Sequence, residues 1–300
     1  VEKYHLLILG CGYEEILCKV RLFESPVLIL TEYDTSKDDI SNNDIVIDVK
    51  ERFDVTNSQL VYTPKYQSMD IIMKKIQLMT ETIRVQKNPI ISRKLEVVGI
   101  ISPIKHEMQM MFSLLYAQNA AREGRVLYIN LMEFSGFSEL FEEMEHDLGD
   151  FMILLRNHKW NVEALYSCIY EMEEFSYIYP FINPENVKEI TNTDVKKMLE
   201  IVAKYTDYET IILDIGVGMV EYGQVLLSCD KIYCLEKKGY LFEIQTAQFL
   251  KYMEKLGNGM SVERIEMIEI PYQPKIISGG SHLLERLNWS EFGDFVRSKI

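Results

Sequence analysis

The segment Ser102-Pro103-Ile104-Lys105-His106-Glu107-Met108-Gln109-Met110-Met111-Phe112 follows an apolar strand and leads into a helical pattern. Unpaired amides at a helix N-terminus point into such a turn, so an anion would sit here in an α/β unit. Holding a triphosphate takes glycines, because the backbone adopts φ > 0 and must approach the phosphates closely. It also takes a lysine for the β- and γ-phosphates and a Ser or Thr hydroxyl for Mg²⁺. This turn has no glycine. Gln109 and Met110 stand where the lysine and the hydroxyl residue are expected, and Glu107 adds negative charge. Hydrolysis loses its main groups together.

Other polar residues admit a functional and a structural reading. Lys105 and His106 could attract an anion, but read first as solvated loop residues. The run Glu142-Glu143-Met144-Glu145-His146-Asp147 could bind a metal, but reads first as a solvated helix face. His5, His158 and His282 have no nucleophile beside them in sequence. Cys11, Cys18, Cys168, Cys229 and Cys234 form no CxxC pair and no zinc-ligand spacing, so they read as reduced core residues.

A net charge of −14 argues against a nucleic-acid surface and against broad contact with anionic lipid. Protein partners are expected instead. No apolar run reaches the ~18 residues that a membrane span needs. The start, Val1-Glu2-Lys3-Tyr4, is neither a signal peptide nor an initiator methionine, and the expectation is a cytoplasmic chain that begins inside a domain.

Two α/β units should position these residues. Short buried runs at Tyr4–Leu9, Val27–Leu30, Ile45–Val49 and Leu60–Tyr62 lead to a helix that Ser68 could cap, giving a small α/β domain over 1–84. Residues 85–94 read as a linker, and 95–300 as the second domain. Its first unit is β-α-β: a strand over Leu95–Ile101, a helix from about Glu107 to Arg122 ended by Gly124, and a strand over Val126–Leu131. Further strands are expected at Thr210–Asp214, Lys231–Leu235 and Ile265–Ile270, with helices at Asp194–Tyr205 and Glu243–Leu256. The fold class is α/β, a doubly wound, mostly parallel sheet covered on both faces. Near the C-terminus Leu283, Leu284, Leu287, Phe292, Phe295 and Val296 recur at helical spacing. Three acidic residues balance three basic ones there, so this stretch should pack on the body rather than on lipid.

From Val98 onward the chain resembles the ParA/MinD superfamily of deviant-Walker ATPases, and within it the TadZ/CpaE pilus-assembly localisation proteins. That subgroup's turn reads roughly Ser-Pro-Val-Gly-Gly-Val-Gly-Lys-Thr-Thr. Ser102, Pro103 and Ile104 match its start, and the rest is replaced. Asn130 falls where the family has its catalytic aspartate, and Glu133-Phe134-Ser135-Gly136-Phe137 continues the match. Asp214, in Leu213-Asp214-Ile215-Gly216-Val217-Gly218, falls on the Walker B strand, and Cys229-Asp230-Lys231-Ile232 resembles a family strand entry. Asp214 is thus either a relic magnesium residue or a strand-end aspartate capping the Gly216–Gly218 turn. Asn130 and Glu133 are either a remodelled site or ordinary strand-end polar groups. The first unit resembles the second half of the receiver-like domain that precedes the ATPase domain in this subgroup.

The resemblance implies a nucleotide site whose relic positions are Ser102, Lys105, Gln109, Met110, Asn130 and Asp214. The expected protein is a non-catalytic scaffold, without cofactor or metal. It would be homodimeric and would serve protein partners of a Tad/Flp-type pilus or secretion machine, recruited through them to the membrane-associated assembly. The rival reading is a slow ATPase or nucleotide sensor with Lys105 as the cation and Asp214 as the magnesium anchor. A phosphorelay output module would need an aspartate at the end of the first strand, where the chain has Gly10-Cys11-Gly12.

Overall fold

The computed structural model describes residues 95–157, 162–172, 174–257, 262–271 and 283–300. It also describes residues 7–9, 27–31 and 60–64 and scattered positions between 66 and 76. The chain divides into two compact units, Val1–Pro89 and Ile90–Ile300. The linker expected over 85–94 and the strand expected over Ile45–Val49 lie outside the described residues.

In the first unit β1 (Leu7–Leu9), β2 (Val27–Thr31) and β3 (Leu60–Pro64) form a parallel sheet in that order. Helical positions follow Ser68, whose carbonyl accepts from the Ile72 amide at 3.4 Å.

The second unit is built on a seven-stranded sheet. Its strands are β4 (Glu96–Ile101), β5 (Val126–Leu131), β6 (Ile169–Met172), β7 (Phe175–Ile178), β8 (Thr210–Ile215), β9 (Lys231–Glu236) and β10 (Ile265–Glu269). The order is β10-β9-β4-β8-β5-β7-β6, and every pair is parallel except β6 with β7. The helices are α1 (Gln109–Ala120), α2 (Phe137–Leu140), α3 (Leu148–Arg156), α4 (Val162–Ser167), α5 (Asn192–Tyr205), α6 (Tyr222–Leu227), α7 (Tyr240–Leu256), α8 (Leu283–Asn288) and α9 (Glu291–Arg297).

The strands lack polar alternation because both sheet faces are covered. On one face Val98, Ile100, Tyr128, Ile212, Tyr233 and Leu235 pack with α1, α8 and α9 in a single core. On the other, Gly99 meets Leu226 and Cys229, where an added Cβ would fall 2.8 Å from the Cys229 sulfur. That glycine lets α6 approach the central strand. α1 is buried from Gln109 to Asn119 because α8 and α9 cover its outer side. The C-terminal helices therefore pack on the body, with Leu283, Leu284, Leu287, Phe292 and Val296 all buried.

Two expectations need correction, and the antiparallel β6–β7 pair is an element the sequence analysis did not include, since Glu173-Glu174 between the strands carries none of the glycine or asparagine that marks a tight turn. α1 spans Gln109–Ala120 rather than about Glu107 to Arg122, because residues up to Met108 belong to the turn before it. Gly124 is not a left-handed terminator; among described glycines only Gly136 and Gly239 have positive φ. An added Cβ at Gly124 would instead run into the Glu209 carboxylate.

α5 delivers the chain to β8, and its start is fixed by a capping box. Thr191 Oγ1 accepts from the Asp194 amide, and the Asp194 carboxylate accepts from the Thr191 amide. Arg156 then clamps Asp194 with two donors, at 3.0 and 2.8 Å. Thr191→Ala is expected to cost about 1 kcal/mol. A urea midpoint shift with unchanged slope would check it, and no shift would mean that Arg156 alone holds the helix start.

Candidate functional site

The site lies where β4 ends. Ser102 is buried; its hydroxyl donates to the Leu235 carbonyl at 2.9 Å, which ties the turn to β9, and accepts from the His106 amide at 3.1 Å. The Lys105 amide donates to the Ser102 carbonyl at 3.1 Å and the Gln109 amide to the His106 carbonyl at 3.0 Å. His106 Nδ1 accepts from the Met108 amide at 3.1 Å. Four of the amides that an anion would recruit are therefore already engaged within the chain. Lys105 has φ 53°, the only positive φ among described non-glycine residues. The bend that glycines would supply is made at a lysine, at roughly 1–2 kcal/mol of strain.

Behind the turn runs a buried polar chain. Gln109 Nε2 donates to Asp214 Oδ1 at 2.7 Å, to the Ile215 carbonyl at 3.0 Å and to the Ile100 carbonyl at 3.4 Å. The other Asp214 oxygen accepts from the Tyr128 hydroxyl at 2.9 Å. That hydroxyl accepts from Asn130 Nδ2 at 3.0 Å, and Asn130 Oδ1 accepts from the Met132 amide at 2.9 Å. β5 and β8 set this up in parallel register, with Asn130 opposite Asp214. Burial pushes the Asp214 carboxyl up to about 6, against hydrogen bonds from Gln109, Tyr128 and Ser113 that favour the charge. Its partners are all neutral. The same burial, reinforced by the Asp214 charge, holds Tyr128 well above the ordinary phenol range.

In front of this chain is a crevice of about 150 Å³, lined by Ser102, Lys105, His106, Gln109, Met110 and Glu133 among others. Lys105 Nζ pairs with Glu133 Oε1 at 3.2 Å across its mouth. The Glu133 carboxylate lies so close to Gly216 and Gly218 that a Cβ at either would collide with it. Lys237 pairs with Glu107 on the other flank. Burial holds His106 below the usual imidazole range, against the pull of Glu107, which suits a neutral ring accepting at Nδ1.

Ser102, Lys105, Gln109 and Met110 thus line one crevice, and Asn130 and Asp214 sit behind it. Several sequence readings change. His106 is buried, its side chain only 4% exposed, because its ring caps the turn; of these two residues Lys105 keeps the exposed side chain. Asp214 does not cap the Gly216–Gly218 turn; it points inward to Gln109 and Tyr128, and Glu133 covers the turn. Asn130 is a link in a buried chain rather than an ordinary strand-end group. Residues 142–146 are not helical, and His146 faces Asp150 at 3.4 Å. No metal-binding group of His, Cys, Asp or Glu occurs among the described residues. Sequence reasoning missed Tyr128 and Ser113. Tyr128 stands two positions before Asn130 on the same strand face, and that alternation could have flagged it.

No protein-family model matches the sequence, and no curated protein matches it. Solved structures do. A ParA-family ATPase from Chlorobium tepidum is 18% identical, with a TM-score of 0.50 over 58% of this chain and 73% of that one. A plasmid partition protein from Borrelia burgdorferi is 16% identical, with 0.47 over 66% and 87%. The MinD cell division protein of Aquifex aeolicus is 12% identical, with 0.46 over 59% and 70%. With its seven-stranded, mostly parallel sheet and flanking helices, the second unit has the ParA/MinD-type P-loop NTPase fold.

Proposed function

We propose that the protein is a non-catalytic scaffold or localisation factor of ParA/MinD-type fold, acting by binding proteins. The observation that carries this reading is Gln109. By the sequence resemblance it falls where the phosphate-binding lysine is expected, and it spends its amide on Asp214 and two carbonyls. Phosphoryl transfer depends on positioning and charge stabilisation, where one cationic group is worth roughly 10³–10⁵ in rate. The crevice of about 150 Å³ also falls short of the roughly 300–1,000 Å³ usual for ligand pockets. In the rival reading Lys105 would have to leave Glu133, and Asp214 would have to leave Gln109.

The resemblance to TadZ/CpaE read from the residues around Ser102-Pro103-Ile104 supports a homodimer serving a Tad/Flp-type pilus or secretion assembly, cytoplasmic and recruited by its partners to the membrane-associated machine. No helix among the described residues is long and apolar enough to cross a membrane. Millimolar Mg-ATP in a thermal-shift assay tests the nucleotide-free part. A ligand at 100 times its Kd adds about 2.7 kcal/mol, a visible shift. No shift is expected; a saturable one removes the reading.

A further inference from the structure

Among the described residues, exposed large apolar side chains gather at the start of α7. Tyr240 is 77% exposed, Leu241 71% and Ile244 47%. The buried residues of this helix are Thr246, Phe249 and Met253. Tyr240 and Phe249, and likewise Ile244 and Met253, are nine positions apart. At 3.6 residues per turn that is two and a half turns, so each exposed residue projects opposite a buried one. Leu241 adjoins Tyr240 on the outer side. A stripe of this kind, facing away from its own core, is the mark of an interaction surface.

Charge says what fits it. β9 and β10 run in register with Glu236 directly opposite Glu269. The turn into α7 folds Glu243 back, so that its carboxylate accepts from the Gly239 amide at 3.4 Å. Three carboxylates therefore stand at the foot of the stripe. Burial, and then the charges of Glu269 and Glu243, push Glu236 above the usual carboxylate range. Lys238 pairs with Glu269 at 2.8 Å, while Lys237 is engaged by Glu107. The local excess is negative, as is the whole chain at −14. A second copy would bring the same carboxylates to the contact, and anionic lipid would be repelled by them.

We infer that the first turns of α7, with Glu236, Glu243 and Glu269, form a docking surface for a partner protein that presents a basic amphipathic helix. Apolar side chains of that helix cover Tyr240, Leu241 and Ile244, and its Lys or Arg side chains meet the carboxylates. The inference rests on the scaffold reading only in that function runs through partners; nucleotide does not enter its test.

The probe is a fluorescently labelled helical peptide of leucine and lysine in heptad spacing, followed by anisotropy on the full chain. It should bind about tenfold or more tighter than its glutamate-for-lysine counterpart or a scrambled version. The Leu241→Glu/Ile244→Glu double variant should lose about tenfold or more. Glu243→Lys should weaken binding and flatten its salt dependence. Tyr240→Ser repeats the test if the double variant loses helix content by circular dichroism. Equal binding of the scrambled peptide, or unchanged binding by a folded double variant, overturns the inference. Self-association in sedimentation velocity that the double variant lacks would assign the stripe to a second copy. Co-sedimentation with phosphatidylcholine vesicles, lost in the same variant, would assign it to lipid. A thermal response to Mg-ATP would instead count against the scaffold reading and leave this surface standing.

Discussion

Gln109→Leu is expected to destabilise the protein by about 3 kcal/mol at pH 7.5, and by clearly less at pH 5. Leucine has a similar volume, so the cavity contribution is small and the loss is electrical. The substitution removes the donor 2.7 Å from Asp214 Oδ1 and strips the Ile215 and Ile100 carbonyls of a partner. Hydrogen bonds to charged groups contribute roughly 1.5–3 kcal/mol, and an uncompensated buried charge costs roughly 3–5. At pH 5 Asp214, with its carboxyl near 6, is mostly protonated and there is less charge to strand. Urea unfolding at both pH values, with slopes compared, reads the difference. An equal loss at the two would mean that Gln109 matters for packing rather than for Asp214. A loss of only a few tenths would mean that the amide supports nothing.

The elements around the site could be read from the sequence because they are local. Val97-Val98-Gly99-Ile100-Ile101 and Val126-Leu127-Tyr128-Ile129 are buried runs too short for helices, and the mostly apolar stretch after Gln109 is too long for a strand. The absent glycines were equally plain, since that judgement needs only residue types. What the sequence hid is tertiary. Nothing intrinsic to lysine announces φ 53° at Lys105; the turn imposes it through the Ser102 and His106 hydrogen bonds. The inward aim of Asp214 depends on Gln109 from α1 and Tyr128 from β5, which lie 105 and 86 residues away in sequence. His106 reads as a polar loop residue until its ring is seen to cap the Met108 amide. Glu133 looked like a strand-end group because its contact with Gly216 and Gly218 crosses between two separate turns.

Asp214 should also leave a signature in the pH dependence of stability. Its carboxyl stands at about 6 in the folded chain against an ordinary value of 3.8, so the folded state keeps a proton that the unfolded state has released. The resulting stability is fully present below about pH 4 and is lost as pH rises through 6. At about 1.36 kcal/mol per unit, roughly two units amount to about 3 kcal/mol. Asp194 has the opposite sign: the Arg156 hydrogen bond first, with those from Thr191, holds it down to about 2, so its stability is present above about pH 4 and is lost as pH falls through 2. The two windows barely overlap. Subtracting the unfolding free energy of Asp214→Asn from that of the wild type, across pH 4 to 7, cancels every other carboxylate. The difference should fall by about 3 kcal/mol between pH 4 and 6 and then stay level. A flat or rising difference would show that Asp214 is not a buried carboxylate held by neutral donors alone. Magnesium extends the same measurement to function. An aspartate that anchored the cation would have its carboxyl drawn down by it, restoring stability at pH 7 as millimolar Mg²⁺ is added. With Gln109 and Tyr128 already occupying both oxygens, the curve should not move.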